Sequence, residues 1–438
     1  MAGNAETNDV TTGFDVAMYD VAIVGRGNSA ALTALALAQN GFSVWTEAGM
    51  TTGITTGTSG SQPESQSDHL WQRVLALSPA ARHALEMLGV WQHLAAGHAP
   101  VADIAVGGAT DKDLPLRFAL GAETDQPVDL LSYIVSVPDI TAAVSGALHA
   151  CAAQKNSTLT SAAHAAEAFC GDTGTLTLAD GSQVRVHLLV DASGAHSAWR
   201  QHAGIACWRH AYGQDALTAE IQLSAPHGNV ARQAFLPDGP LALLPLPAQD
   251  RAALVWSLPA RKARALSRVD ASVFDHELNR SGRDFFGSMH RIGTCGRQPL
   301  MLQLAEKFTG PRLALIGEAA HVIHPLAGQG MNLTLRDIGA LTDALVGARK
   351  LGLNCGDAAM LDEYVVHRRS DAMVSALATH ALCGLFTGRA PVRWLAAAGM
   401  RGVGQLGEAW PDLKQRFRAQ ADLGTGNASR LFGGTGII

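Results

Sequence analysis

The sequence lacks the patterns that mark several common classes of protein. Its six cysteines are widely spaced and form no C-x-x-C pair, which argues against a zinc ribbon or a disulfide scaffold. Only 16% of the residues are charged and the formal net charge is -5, so we expect no nucleic-acid surface. No apolar run approaches the roughly 20 residues that cross a bilayer, and the polar, acidic start is unlike a signal peptide. We therefore expect a cytoplasmic protein with reduced thiols.

What is present is the composition of a large globular protein. The chain has 438 residues, of which 47% are hydrophobic and 46 are glycines. This length predicts two or three domains rather than one. Segments with strand-like and helix-like apolar patterns alternate along much of the chain, which indicates an α/β fold.

The first informative segment runs from Tyr19 to Glu47. An apolar strand leads into a turn that fits G-x-G-x-x-G/A, and an Ala- and Leu-rich helix follows. In such a turn the first glycine allows the bend, the second lets the backbone approach a pyrophosphate, and the third residue must be small. Glu47 closes the next strand, where an acid can hold a ribose hydroxyl. The pattern favours a dinucleotide site over a glycine turn without a ligand, but it does not distinguish FAD from NAD.

A second segment, Arg312 to Asp337, favours a flavin. Its sequence is RLALIGEAAHVIHPLAGQGMNLTLRD. An apolar strand reaches Gly317 and Glu318, where the acid can bind the ribityl hydroxyls of a flavin. The turn before the long helix exposes N–H groups at the positive helix end, and these can stabilise negative charge on a reduced flavin.

A metal site made by Glu318, His321 and His324 is the rival interpretation of this segment. The spacing does not bring three ligands to one side of a helix, and Pro325 interrupts the segment. A packed or solvated role is the plainer interpretation of either histidine. We therefore predict no metal.

These segments resemble the flavin-dependent aromatic hydroxylases of the para-hydroxybenzoate hydroxylase fold, and most of all the branch that acts in ubiquinone biosynthesis. That branch usually has G-D-A-A-H-x-x-H-P-x-x-G-Q-G-x-N-x-G-x-x-D at the second segment. Arg73 to Ser78 resembles its R-x-x-A-L-S, whose Arg lies near the flavin phosphates. Leu189 to Arg200 resembles the fingerprint G-A-D-G-x-x-S-x-x-R, which contacts FAD and NAD(P)H. Gly239 to Leu246 resembles a substrate-sheet strand beside the flavin, and Tyr364 to Asp371 the closing Y-x-x-x-R-x-x-D.

The resemblance implies FAD as the bound cofactor and NAD(P)H as co-substrate. No catalytic acid or base is assigned, because the flavin carries the chemistry. Three residues, each with a core position as the alternative, are candidate substrate contacts: Tyr212, Pro245 and Trp256. The residues predicted to hold the cofactor are Gly25, Gly27, Asn28, Ser29, Ala30, Glu47, Arg73, Ser193, Gly194, Arg200, Gly317, Glu318, Pro325, Gly328, Gln329, Gly330, Met331 and Asn332.

The chain departs from the family pattern at a few positions. Arg26 and Asn28 replace Gly and Pro in the first turn, and Thr334 replaces a Gly. Glu318 replaces Asp but keeps the carboxylate, so we expect FAD binding to survive. Ser193 replaces Asp and loses the charge, so we expect slower reduction by NAD(P)H. Asp191 is a candidate substitute, because alternate residues of a strand share a face.

The resemblance and the order of segments predict a discontinuous Rossmann-like FAD-binding domain with an inserted, mainly antiparallel β-sheet substrate domain and a C-terminal helical segment. Residues 1–17 are predicted to form a flexible tail. The FAD-binding domain takes residues 18–98, 131–205 and 296–348. The substrate domain takes 99–130 and 206–295, and the helical region takes 349–438.

The expected activity is hydroxylation of a polyprenyl-phenol ring with O2 and NAD(P)H in ubiquinone biosynthesis. The alternatives are a hydroxylase of another small aromatic, a flavin-linked isoprenoid reductase, and a non-catalytic flavoprotein subunit of a quinone-synthesis complex. The lost charge at Ser193 supports the last of these. G-Q-G-x-N favours a hydroxylase over the reductase.

A prenylated substrate is nearly insoluble, so we also expect peripheral association with a membrane or a quinone-synthesis complex. Ala390 to Met400 is the candidate contact face, with packing on the FAD-binding domain as its alternative. A homo-oligomer is compatible with the sequence.

Overall fold

The computed structural model of the chain describes residues 17–47, 49–50, 73–94, 97–108, 116–117, 130–325, 328–387 and 429–433. The predicted tail, apart from residue 17, and the segment from Ala390 to Met400 lie outside these residues.

Helices and strands alternate in the order predicted. The helices are α1 (Asn28–Gln39), α2 (Pro79–Met87), α3 (Val137–Ala152), α4 (Ala198–His202), α5 (Ala260–Leu266), α6 (Ala271–Phe286), α7 (Gln329–Lys350), α8 (Ala358–Thr387) and α9 (Arg430–Gly433). Short 3₁₀ turns cover Trp91–His93 and Gly317–Ala319.

The strands from the start of the chain to residue 191 are β1 (Met18–Val24), β2 (Val44–Thr46), β3 (Val74–Leu77), β4 (His98–Val101), β5 (Asp103–Gly108), β6 (Leu116–Arg117), β7 (Ser132–Ser136), β8 (Leu159–Ser161), β9 (Ala166–Cys170), β10 (Thr175–Leu178) and β11 (Gln183–Asp191). The later strands are β12 (Cys207–Leu223), β13 (Val230–Leu236), β14 (Gly239–Pro245), β15 (Arg251–Pro259), β16 (Met289–Ala305), β17 (Thr309–Gly310), β18 (Leu313–Leu315) and β19 (His321–Val322).

The first sheet is built on parallel strands in the order β18-β11-β1-β2-β8, with β17 at one edge, β10 paired with β11, and β9 paired with β10. Its strands are apolar because both faces are covered, as in other parallel sheets. In the pairing register Val24 lies beside Asp191, and Asp191 lies beside Leu315. The carboxyl ends of these strands therefore meet at one edge, which is where ligands bind in open α/β sheets.

The second sheet is mainly antiparallel and has the order β19-β16-β12-β15-β14-β13-β5-β6. Helix α6 covers it, and Phe274 and Leu278 of that helix are fully buried in its core. The predicted boundary between residues 295 and 296 falls inside β16, because this strand pairs with β12 from Met289 to Ala305. A small third sheet has the order β3-β7-β4. The predicted fold class is confirmed, whereas its division into domains stays a prediction.

Helix α7 packs into the core of the first sheet together with α1. Leu335, Ile338 and Leu341 of α7 are buried in the same core as Leu32 and Leu35 of α1. No helix in the described parts of the chain is long and apolar enough to cross a membrane.

Candidate functional site

The turn after β1 has the geometry that its glycines predict. Gly25 has φ +121°, and a Cβ there would lie 2.5 Å from the carbonyl oxygen of Ala192. Only glycine therefore allows the turn to approach the end of β11 this closely. A Cβ at Gly27, the residue that precedes α1, would meet nothing within 4 Å. The helix N-terminus is thus open at the position where a phosphate would approach.

Glu47 lies at this same turn. Its Oε2 accepts a hydrogen bond from the N–H of Gly25 at 3.0 Å. Arg26, which stands where the family has Gly, approaches Glu47 with 3.8 Å between Nη2 and Oε1. The acid predicted to bind a ribose is therefore held against the glycine turn, beside a cation.

Asn28 connects the turn to the neighbouring helix. Its Nδ2 donates to Oγ1 of Thr141 on α3 at 3.0 Å. Its Oδ1 is buried and has no hydrogen-bond partner among the described residues. Ser29 and Ala30 follow in the first turn of α1, where Ala30 is fully buried.

The segment after β11 is held by Asp191 rather than by an acid at position 193. The carboxylate of Asp191 is fully buried and accepts hydrogen bonds from the N–H of Ser193 at 3.0 Å and from the hydroxyls of Ser193 and Ser197. Strand β11 ends at Asp191, before Ser193, so the two residues come together through these hydrogen bonds and not through strand alternation. Asp191 therefore supplies a carboxylate beside the position where the family has its Asp.

Among the described residues, Arg200 pairs with carbonyl oxygens and with no carboxylate. The side chain is fully buried, and its guanidinium donates to the carbonyls of Ala319 at 2.7 Å and Ala195 at 2.9 Å. Arg200 thus ties the fingerprint that contains Gly194 to the turn that contains Glu318. Its hydrogen bonds therefore join the loop after β11 to the turn after β18.

The turn at Gly317 presents an acid to the open edge of the sheet. Gly317 has φ +60°, and a Cβ there would lie 3.0 Å from Oγ1 of Thr334, the residue that replaces a family Gly. The side chain of Glu318 is exposed, although Gly317 and Ala319 on either side are buried. An exposed carboxylate on a rigid turn is suited to accept hydrogen bonds from ligand hydroxyls.

The start of α7 forms the facing wall. Gly328 precedes the helix in the left-handed conformation, at φ +61°, and a Cβ there would lie 2.7 Å from Cβ of Ala76. Asn332 locks this contact, because its Nδ2 donates to the Ala76 carbonyl at 3.0 Å and its Oδ1 accepts from the Ser78 N–H at 3.1 Å. The other residues predicted here are at least partly accessible: Arg73, Pro325, Gln329, Gly330 and Met331.

A buried charge network behind these turns was not predicted from the sequence. Asp337 accepts from the Gly317 N–H at 3.0 Å, from His321 Nε2 at 2.7 Å and from Arg368 Nε at 2.8 Å. Although burial raises the pKa of Asp337, His321 and Arg368 lower it to about 2. The sequence does contain two family motifs that end in Asp337 and Asp371. It does not show which side chains these two carboxylates bind.

The three candidate substrate contacts lie in different places. Tyr212 lines a cavity of about 400 Å³ together with His210, Gln214, Pro259, His380 and Cys383. Pro245 lines a separate cavity of about 40 Å³. Trp256 is 1% exposed and packs edge-on against Phe274 in the core of the second sheet. Tyr212 therefore borders the larger cavity, whereas Trp256 is a core residue of the second sheet.

Contacts between aromatic rings link the larger cavity to the segment from Arg312 to Asp337. Tyr212 packs edge-on against His324 with 5.0 Å between ring centroids, and its hydroxyl lies 3.3 Å from Nδ1 of His380. Burial, and then Cys383, raise the pKa of Tyr212 to about 12. Burial lowers the pKa of His324 to about 4, and neither of its ring nitrogens has a partner among the described residues. Both side chains are therefore neutral at pH 7.

Among the residues that the structure describes, no three His, Cys, Asp or Glu side chains are grouped so that they could hold a metal ion. His321 is instead bonded to Asp337, while His324 packs against Tyr212. The two histidines thus have separate neighbours.

Comparison with known proteins identifies the class to which this geometry belongs. The FAD binding domain family matches residues 18–376. Ubiquinone hydroxylase UbiL of Rhodospirillum rubrum is 35% identical over 418 residues, which cover 94% of this chain and 91% of UbiL. The 3-demethoxyubiquinol 3-hydroxylase of Escherichia coli is 31% identical over 370 residues, which cover 81% of this chain and 86% of that enzyme.

Solved structures share the fold at lower identity. Pseudomonas aeruginosa PqsL in complex with 2-aminobenzoylacetate has a TM-score of 0.69 and 21% identity, covering 88% of this chain and 100% of PqsL. The p-nitrophenol 4-monooxygenase PnpA from Pseudomonas putida DLL-E4 has a TM-score of 0.69 and 17% identity, covering 93% of this chain and 99% of PnpA. The chain therefore belongs to the FAD binding domain family, as an FAD-dependent monooxygenase.

The geometry fits FAD. A Cβ at Gly27 or at Gly330, in the first turn of α7, would meet no atom of the described residues within 4 Å, and the exposed Glu318 follows β18, which is separated from β1 by β11 alone. Gly25 and Gly27 would hold the pyrophosphate, Glu47 the ribose and Glu318 the ribityl chain. When bound, FAD reduced by NAD(P)H supplies the oxygen chemistry that no side chain can provide.

Proposed function

We propose that this monooxygenase hydroxylates the ring of a polyprenyl phenol in ubiquinone biosynthesis, with O2 and NAD(P)H. The observation that carries the proposal is the 35% identity to ubiquinone hydroxylase UbiL across 94% of the chain. The E. coli relative, which is named as a 3-demethoxyubiquinol 3-hydroxylase, supports the same class of substrate.

The cavity beside Tyr212 is the proposed place for the aromatic ring. Its wall has ring edges and faces from Tyr212, His210 and His380, which suit an aromatic ligand. Tyr212 stays protonated at neutral pH and so can donate a hydrogen bond to a ring hydroxyl. His324, neutral and buried, packs edge-on behind Tyr212 and holds that ring in place. These residues orient the ring, and the wall they form limits the access of water.

The experiment that tests the proposal is oxygen uptake by the FAD-loaded enzyme. NADPH and a short-chain prenyl phenol should give uptake together with a product one oxygen heavier. Tyr212→Phe should raise KM for the phenol several-fold, since it removes one hydrogen bond. His290→Gln, at an exposed histidine of the second sheet, should match the wild type.

Two outcomes would favour the alternatives. Equal turnover of an unprenylated phenol would indicate a hydroxylase of another small aromatic. A yellow protein whose flavin is never reduced by NADPH would indicate a non-catalytic flavoprotein subunit. The buried Asp191 favours the enzyme, because its charge lies beside Ser193.

A polyprenyl substrate also leads us to propose a cytoplasmic enzyme that associates peripherally with a membrane or a quinone-synthesis complex. Liposome flotation, with and without the prenyl phenol, measures this association. Because Ala390 to Met400 lies outside the described residues, Trp394→Ser is the direct test of its part. Unchanged flotation of Trp394→Ser would remove this segment as the contact face.

A further inference from the structure

Helix α8 contacts the turn that contains Gly317 and Glu318 through a set of buried polar side chains. Tyr364 is fully buried, and its hydroxyl donates to the carbonyl of Leu315, the last residue of β18, at 2.6 Å. Gly317 and Glu318 follow this strand after one intervening residue, Ile316. One end of the turn is therefore fixed by a residue of α8.

Asp337 joins the same turn to α8 a second time. One oxygen accepts from the Gly317 N–H at 3.0 Å, and the other accepts from Arg368 at 2.8 Å. All three groups are shielded from solvent, since Asp337 is 0% and Arg368 5% exposed. A change in the position of Arg368 would thus reach the residue next to Glu318 through a single carboxylate.

Asp371 extends the contact to the facing wall. It accepts from Arg368 at 2.6 Å and from Arg336 of α7 at 3.1 Å. Arg368 also lies 3.4 Å from the carbonyl of Leu333, in the second turn of α7. The same part of α8 therefore holds both the Gly317 turn and the helix that begins at Gln329.

Apolar packing alone could attach α8, and a buried ion network is seldom more stabilising than well-packed apolar residues. A network gives directional bonds at defined atoms instead. We propose that Tyr364, Arg368 and Asp371 of α8 are positioning residues for FAD, which fix the Gly317 turn and the start of α7. FAD binding and the docking of α8 are then coupled, and each strengthens the other. This proposal depends on FAD binding alone, and not on the identity of the phenol.

The first test is FAD affinity of the apoprotein, measured by flavin fluorescence well below the melting temperature. Arg368→Lys keeps the charge but loses the planar fork, so the Kd for FAD should rise about tenfold. Leu278→Ala is the matched control, because it opens a cavity in the core of the second sheet and lowers the melting temperature without touching this network. Its Kd should stay within about twofold of the wild type.

Tyr364→Phe is the milder variant, for use if Arg368→Lys does not fold. It keeps the buried ring and removes only the bond to Leu315, so the Kd should rise roughly threefold. An equal loss of FAD affinity in Leu278→Ala and Arg368→Lys would overturn the proposal, since general destabilisation would then account for both.

The second test is hydrogen exchange of residues 358–387 with and without FAD. Coupling predicts that FAD slows exchange of these amides in the wild type, and slows it less in Arg368→Lys. Exchange that is unaffected by FAD in the wild type would show that α8 is not coupled to the cofactor, whatever its effect on stability.

Discussion

At the scale of single residues, Gly25 and Gly27 are glycines for different reasons. A Cβ at Gly25 would collide with the Ala192 carbonyl, whereas a Cβ at Gly27 would meet no atom of the described residues within 4 Å. Gly25→Ala should therefore destabilise the apoprotein by at least about 1–3 kcal/mol, because the φ of +121° at position 25 is also strained for alanine. Gly27→Ala should leave the apoprotein stable but weaken FAD at least about tenfold, because the methyl group occupies the pyrophosphate's approach.

Urea unfolding of the two apoproteins and FAD titration of each separate these effects. Equal stability of both variants would contradict the close approach of the first turn to β11. Wild-type FAD affinity in Gly27→Ala would place the pyrophosphate elsewhere.

The pair formed by Asp191 and Ser193 leads to a second prediction. Ser193→Asp alone would place two carboxylates in contact, so the variant should be less stable and no faster in reduction. Asp191→Asn weakens the charge-assisted bonds that hold Ser193 and Ser197, so flavin reduction by NADPH should slow about tenfold. The double variant Asp191→Ala/Ser193→Asp restores the family's arrangement and should recover the rate.

Anaerobic stopped-flow reduction with NADPH is the measurement. A faster rate in Ser193→Asp alone would show that Asp191 does not replace the missing acid. An unchanged rate in Asp191→Asn would show that its charge serves the fold and not the donor site.

At the scale of elements, the sequence was sufficient where one local pattern decides the outcome. The strand, glycine turn and helix that begin at Tyr19 were predicted in the order in which the structure has them, as were the second turn and the long helix after it. The partners of Arg368 could not be predicted in this way. Helical spacing shows which face of α8 is buried, but not that its arginine meets Asp337 of another helix. Tertiary contacts between distant segments decide that pairing.

The attachment of α7 to β3 gives a prediction at this scale. Asn332→Ala would remove two hydrogen bonds and leave the buried N–H of Ser78 unpaired. The free energy of unfolding should therefore fall by about 1–3 kcal/mol. The N-terminus of α7 would lose its anchor, so FAD affinity should fall as well. FAD titration and urea unfolding are measured together.

Arg349→Ala is the control at the opposite end of α7, where the side chain donates to the carbonyl of Asn40 at 2.9 Å. It should alter stability and leave the Kd for FAD unchanged. An equal rise in the Kd for FAD in both variants would mean that the whole helix, and not its anchored first turn, supports FAD.

At the scale of the whole molecule, the site exists because separate strands end side by side. Gly25, Glu47, Ser193 and Gly317 are remote in sequence and meet at the carboxyl edge of the first sheet. The fingerprints predicted this meeting because each comes directly after an apolar strand. The sequence did not predict that β16 continues across the boundary placed between residues 295 and 296. The reason is that antiparallel pairing with β12 has no local sequence signature.

The pH dependence of stability tests whether His324 is buried against Tyr212 as described. Its pKa in the folded protein is lowered from 6.5 to about 4, because burial disfavours the charged ring. Above pH 6.5 the ring is neutral in both states and the full stability is present. As the pH falls from 6.5 towards 4, His324 takes up a proton in the unfolded chain but stays neutral in the folded protein. The free energy of unfolding therefore falls by roughly 3 kcal/mol.

His324→Phe removes this titration and keeps a ring beside Tyr212. The difference in apoprotein unfolding free energy between wild type and His324→Phe should therefore shift in favour of the variant as the pH falls from 7 to 4.5. Because every other group titrates in both proteins, the comparison isolates His324. A difference that stays constant over this range would mean that the ring accepts a proton in the folded protein, and that the enclosure between Tyr212 and the flavin segment opens to water.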